Sequence, residues 1–200
     1  MVSVEGLANS SGLDAPRRYR VDWSRAEAEV GAPLPLDYKE YVYWFGPGHF
    51  GDFLYAYTPG VELENIDLAG GLRLARDAFE HHRELDEQLQ SKYEQPYPLF
   101  PEQGGWLPWA HTIDGDLMFW VTSPGDPNNW TIAAASREDD IEHFNGGFLD
   151  YLYSYIWGSK DIEFFPHEEG LEAPLRFYPF DVTWTGEGER LDPYGYFENP

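Results

Sequence analysis

The sequence predicts an α+β protein, a single domain with an antiparallel-rich sheet, laid out as a meander and wrapped by helices. Three observations carry that expectation. Helical and strand-like patterns follow one another as helix, helix, strand, helix, three strands, helix and tail, not as repeated strand–helix units. The strand-like runs between residues 109 and 135 are joined by short turn sequences, as in a meander. No internal repeat of 20–50 residues occurs, and 200 residues suit one domain with extensions.

Residues 1–19, rich in Gly, Ser, Asn and Pro, read as a flexible leader running into the basic patch RRYR. SRAEAEVG then predicts a short helix, with Ser24 and Glu27 at capping-box spacing and Gly31 as the stop. APLP is an extended spacer, because each proline disfavours helix in the residue before it. In LDYKEYVYWFG, Asp37 and Glu40 repeat the cap spacing, and Tyr38, Tyr41, Val42 and Phe45 form one apolar helical face that Gly46 ends. His49, in GPGHF, is assigned to a glycine-rich turn. FGDFLYAYTPG reads as one strand with Phe53, Tyr55 and Tyr57 on one side, closed by Pro59-Gly60.

Residues 71–92 give the longest helical pattern. Leu72, Ala75, Phe79, Leu85 and Leu89 make its stripe, which His82 continues, while Glu80, Arg83, Glu84 and Glu87 face away. The Pro- and Gly-rich stretch from Tyr93 to Gly105 is a loop.

HTIDGDLMFW places His111, Asp114 and Asp116 within six residues, which looks like acid–base or metal chemistry. The flanks argue otherwise. Trp109–Ile113 and Asp116–Thr122 are both strand-like, and Asp114-Gly115 is a strong signal for a tight hairpin, since both tolerate positive φ. Beyond the loop SPGDPNN, WTIAAAS continues the meander, with Trp130, Ile132 and Ala134 alternating against Thr131 and Ala133. Asp139, Asp140 and Glu142, in REDDIE, suit a loop or a helix start. FLDYLYSYIWG is a closing helix that packs Phe148, Leu149, Leu152, Tyr155 and Ile156. Residues 161–200 form an acidic-aromatic extension, partly packed on the core, in which LRFYPFDVTW is compatible with an edge strand.

The charge is strongly one-sided. Thirteen Lys and Arg face 36 Asp and Glu, for a net charge of −23, and residues 101–200 hold 4 basic against 19 acidic side chains. Such a field repels nucleic acid and anionic membranes and attracts basic partners. The chain has no cysteine, hence no disulfide, thiolate nucleophile or thiolate-bound zinc. No apolar run is long enough to span a bilayer, and the start lacks a secretory pattern, so a cytoplasmic location is expected. The nucleotide-binding glycine loops and the GxSxG elbow are missing too. No catalytic residue, metal or cofactor is therefore expected. The acidic runs offer partner-binding candidates in Glu84, Asp86 and Glu87 and in Glu138, Asp139, Asp140 and Glu142, each also explicable as a solvated face. The sequence leaves the oligomeric state open.

One pattern has a wider likeness. Trp23, Glu27, Gly31, Leu34, Pro35 and Tyr38, followed by Phe45-Gly46-Pro47-Gly48, resemble the opening of the SUKH superfamily. PWA-x-T-x-DGD-x3-W, a Gly-Asp-Pro loop and then W-T-I are similar to its central meander, and FLDYLYSYIWG to its closing helix. The likeness covers residues 20–158, within a domain set at 20–160. It implies a strongly twisted sheet wrapped by helices. It also implies a bacterial immunity protein that binds and neutralises a cognate toxin, often a nuclease, by occluding its active site or substrate groove. A regulatory or scaffold module with an endogenous partner is the alternative, since the family includes a yeast regulator of cell-wall synthesis.

Overall fold

A computed structural model describes residues 2–89, 97–136, 140–160, 162–166 and 172–180, without the side chains of 85–87 and 89. These residues fold as one α+β unit around a seven-stranded sheet in which every neighbouring pair is antiparallel. The helices are α1 (Val4–Ser10), α2 (Trp23–Val30), α3 (Leu36–Phe45), α4 (Leu68–Leu89) and α5 (Phe148–Ile156). The strands are β1 (Gly48–Phe50), β2 (Leu54–Ala56), β3 (Trp106–Thr112), β4 (Leu117–Val121), β5 (Thr131–Ala135), β6 (Ile141–Phe144) and β7 (Phe177–Pro179). Their order is β6-β5-β4-β3-β2-β1-β7, so the chain runs outward along the sheet and β7 returns to its far edge.

One face of this sheet, the front, carries the main core. Leu107, Trp109, Met118, Trp120, Ile132 and Ala134 from the strands meet Tyr38, Tyr41 and Phe45 of α3 and Phe148, Tyr151, Leu152 and Tyr155 of α5. The rings pack edge to face, as with Tyr38 on Trp120 (4.9 Å, 79°) and Trp109 on Phe148 (4.8 Å, 77°). That geometry sets the positive edge of one ring on the negative face of the next. A bulge between Pro108 and Ala110 turns both Trp109 and Ala110 to this face.

The residues that carry the sequence likeness form one local unit. Gly31 ends α2 in the left-handed conformation, at φ 92°. Glu27 reaches across the spacer, accepting from the Leu34 N–H at 2.8 Å and from Lys39 Nζ at 2.6 Å. Burial works against its charge, but the Lys39 hydrogen bond, the Leu34 amide and the Lys39 charge together hold its carboxyl below the usual range. Trp23 packs edge-on against Tyr38 at 6.1 Å.

Several expectations change. Residues 4–10 of the leader are helical: Ser3 accepts the Gly6 N–H, and Leu7 and Ala8 are buried against α3 and α5. The cap of α2 is Asp22, which accepts from the Arg25 N–H, and not Ser24. Asp37 accepts the Tyr38 N–H of its own first turn at 2.8 Å through Oδ1, but its other oxygen serves a second helix. It caps α5 from a distance, accepting the Leu149 N–H at 3.2 Å, and α5 has no side-chain cap from its own segment. The long helix starts at Leu68, where Asp67 accepts the Gly70 N–H at 2.7 Å. His82 is exposed, as are its neighbours from His81 to Glu84, and the side chains of Leu85 and Leu89 fall outside the described residues. Residues 141–144, expected as a loop or helix start, are strand β6. β7 supplies the edge strand, while residues 181–200 lie outside the described part.

Candidate functional site

The hairpin around Asp114 resolves the first candidate. Gly115 sits at φ 92° and donates to Thr112 O, as the tight turn requires. Asp116 N–H donates to Thr112 Oγ1 at 3.0 Å, and Thr112 Oγ1 donates back to the Asp116 carboxylate at 2.9 Å. Asp116 thus locks the turn and does not begin the return strand. His111 precedes Thr112 in β3 and points to the opposite face of the sheet. The sheet therefore separates the histidine from the aspartate that could have been its acid–base partner.

The back face is divided. Its β3–β6 half is closed by α4 and the loop before β3: Ala75, Phe79, Tyr97 and Leu99 cover Trp106, Phe119, Ala133 and Ala135. Tyr97 stacks on Trp106 at 4.1 Å and 6°, and Arg76 donates to Phe100 O, tying the helix to the loop. Gly71 lets α4 come down on the ring of Tyr57, which a Cβ there would strike.

Past Tyr57 the cover ends and a row of rings begins. Register aligns Tyr178 of β7, His49 of β1, Tyr55 of β2, His111 of β3 and Leu117 of β4 as successive cross-strand neighbours. His111 lies 5.5 Å from Tyr57 and stacks on Tyr55 at 5.1 Å and 7°. Tyr55 lies 5.3 Å from His49, which stacks on Tyr178 at 5.4 Å and 23°. Phe180 rests on His49 at 5.1 Å and on Tyr55 at 6.0 Å. The row grades from buried Tyr57 through half-buried His111, Tyr55 and His49 to Tyr178, which is 45% exposed. Ile113, 63% exposed, extends the apolar surface along the same strand.

Local chemistry fixes this row. Gly51 and Asp52 both have positive φ (60° and 58°) and take the central places of a tight turn in which the Phe53 N–H donates to Phe50 O, while the register pairs Phe50 with Leu54. This turn divides the expected single strand into β1 and β2 and lifts His49 out of the assigned turn into a strand. The Asp52 N–H donates to His49 Nδ1 at 3.1 Å, so the neutral ring carries its proton on Nε2. The Asp52 carboxylate, 3.3 Å from the same nitrogen, becomes a partner only once the ring is protonated. Burial lowers the pKa of both histidines, at His49 against the opposing pull of Asp52, so the row is neutral at neutral pH. Asp52 and Asp114 stand exposed at the turns that rim this end of the sheet.

Of the seven acidic candidates, three have described side chains. Glu84 and Asp140 are exposed on separate elements. The side chains of Asp86 and Glu87, and all of Glu138 and Asp139, lie outside the described residues. Glu142 is buried, at 6% exposed, and serves the fold: its Oε2 accepts the Glu163 and Phe164 N–H groups at 2.8 and 3.2 Å. Burial pushes its carboxyl up, and Oε1 shares the interior with the Tyr151 and Tyr155 hydroxyls, none of the three having a hydrogen-bond partner among the described residues. A shallow groove of about 570 Å³ lies between α1 and α3, lined by Ser3, Glu5, Leu36, Lys39, Tyr43 and Trp44 among others. Among the described residues no three His, Asp or Glu side chains are placed to share a metal ion, and no helix is long and apolar enough to cross a membrane. No protein-family model, curated protein or solved structure matches this chain.

Proposed function

We propose that this chain is a non-catalytic immunity protein of the SUKH kind that binds a cognate bacterial toxin and occludes its active site or substrate groove. The observation that carries the reading is the uncovered half of the back face. A contiguous row of stacked aromatic side chains, half-buried from His111 to His49 and 45% exposed at Tyr178, lies on the part of the back face that α4 does not reach. Contiguous apolar surface of this sort marks contact sites, and aromatic residues are enriched at the centres of protein interfaces. The net charge of −23 suits a partner with a basic surface, as a nucleic-acid-cleaving toxin has, and complementary fields raise association rates by roughly 10–10³-fold at low salt. The likeness carried by Trp23, Glu27, Gly31 and Tyr38 supports the same class by analogy of fold. A cytoplasmic location is part of the proposal.

The test is co-expression. A polymorphic-toxin reading frame encoded beside this one is expressed in a heterologous host, with and without the chain, and the pair is run on size exclusion. Growth rescue with co-elution is the expected result. An active toxin that still kills and elutes alone would remove immunity by direct binding and favour an endogenous partner.

A further inference from the structure

We propose that the outer face of Tyr178 and the rings behind it dock a basic protein segment, whose arginine guanidinium group extends the stack at the sheet edge. The inference rests on the partner-binding reading above and names the chemistry of the partner. Three observations lead to it.

The first is the shape of the stack. The rings of Tyr178, His49, Tyr55 and His111 stand side by side across four strands, each packed against the next. Tyr178 ends the row. One of its faces lies on His49, and among the described residues no second ring covers the other. A planar cation fits such a terminus, because the guanidinium stacks on the face and its in-plane donors remain free for carboxylates. Asp52, with its side chain 82% exposed beside His49, adds negative charge to the same end of the sheet.

The second is the closed edge. β7 is a sheet edge, the usual place for an incoming strand to pair. Its outward backbone donors are already unavailable: the Phe177 N–H donates to Ser11 O at 2.9 Å, and Pro179 has no N–H. Recognition here must proceed through side chains.

The third is charge. A second copy would bring another −23 to the surface, whereas an arginine-bearing segment is attracted by the whole field. The neutral histidines do not oppose it. His49 faces Asp52, Tyr55, Tyr178 and Phe180, and His111 faces Tyr55 and Tyr57, while Arg17 lies nearby, donating to the Pro47 O that also accepts the Phe180 N–H.

The experiment titrates the full-length chain with a nonapeptide of alternating Arg and Gly, and with its Lys counterpart, at low ionic strength. Calorimetry reads affinity and NMR reads the imidazole C–H resonances. The Arg peptide is expected to bind about two- to fivefold more tightly than the Lys peptide and to shift His49. Tyr178→Ala should abolish that preference and Tyr178→Phe should retain it. Equal binding of the two peptides, or a preference indifferent to Tyr178→Ala, would reduce the effect to net charge and overturn the proposal. A concentration-dependent rise in mass that Tyr178→Ala abolishes would assign the surface to self-association instead. Protection of Tyr178 from solvent reagents in the free chain would show the surface already occupied by the chain itself. Toxin neutralisation unaffected by Tyr178→Ala would sink this surface and leave the function standing. A ring-dependent Arg preference without any toxin neutralised would do the reverse.

Discussion

The two faces of one sheet use aromatic residues in opposite ways. On the front, Trp109, Trp120, Tyr38 and Phe148 interlock edge to face beneath α3 and α5, and all are essentially inaccessible. On the back, His111, Tyr55, His49 and Tyr178 stack in a row that α4 covers only as far as Tyr57. The same strands therefore hold the fold together with one set of rings and display the other. Burial on both sides makes a ring part of the core; burial on one side leaves apolar area to be removed from water by a partner.

Substitutions should separate the faces sharply. Trp109→Ala removes one of the two largest buried side chains of the front and should cost about 3–5 kcal/mol in a denaturant titration. Equal stability of Trp109→Ala and Tyr178→Ala would erase the distinction.

Glu142 probes the rim of the front core. Glu142→Ala leaves the Glu163 and Phe164 N–H groups without their acceptor and should cost about 1–3 kcal/mol. Glu142→Gln keeps an acceptor and should be far milder. The pH dependence gives the sign. Burial raises the folded-state pKa of Glu142, so the folded chain holds its proton where the unfolded chain releases it. The stabilisation this linkage provides is full below the usual glutamate range and lost as pH rises through the folded value. Glu142→Gln should therefore gain on the wild type as pH rises past the usual glutamate value of 4.5, and thermal melts on either side of that value check it. Asp37→Ala comes next. It removes the cap of α5 and should cost about 1–2 kcal/mol by chemical denaturation. Tyr178→Ala should change stability least, by about 0.5 kcal/mol or less, while weakening partner association.

The front face was readable from sequence because its signals are local. Tyr38, Tyr41, Val42 and Phe45 recur at helical spacing, and Asp114-Gly115 sits between two alternating runs, so α3 and the β3–β4 hairpin follow from short-range patterns. The display on the back depends on register, which joins residue 49 to 178 and 55 to 111 across long stretches of chain. No local pattern states those pairings. Gly51-Asp52 did hold a usable turn signal, but its apolar neighbours Phe50 and Phe53 make the segment read as a continuous strand. β6 was hidden by its acids: Glu142 reads as a solvated charge until the Glu163 and Phe164 amides are seen to converge on it. Helix α1 was concealed because its few apolar residues, Val4, Leu7 and Ala8, stand among small polar ones and are buried only by contact with α3 and α5.

Two tyrosines make the decisive comparison possible. Tyr178 on the back face and Tyr43 in the groove between α1 and α3 are almost equally accessible, at 45% and 42%. Covalent labelling of both, in the free chain and in its complex with the proposed toxin partner, reads which surface the partner covers. The account predicts that Tyr178 becomes protected in the complex while Tyr43 labels as before. Protection of Tyr43 with Tyr178 still reactive would contradict it and move the contact to the helical side of the molecule.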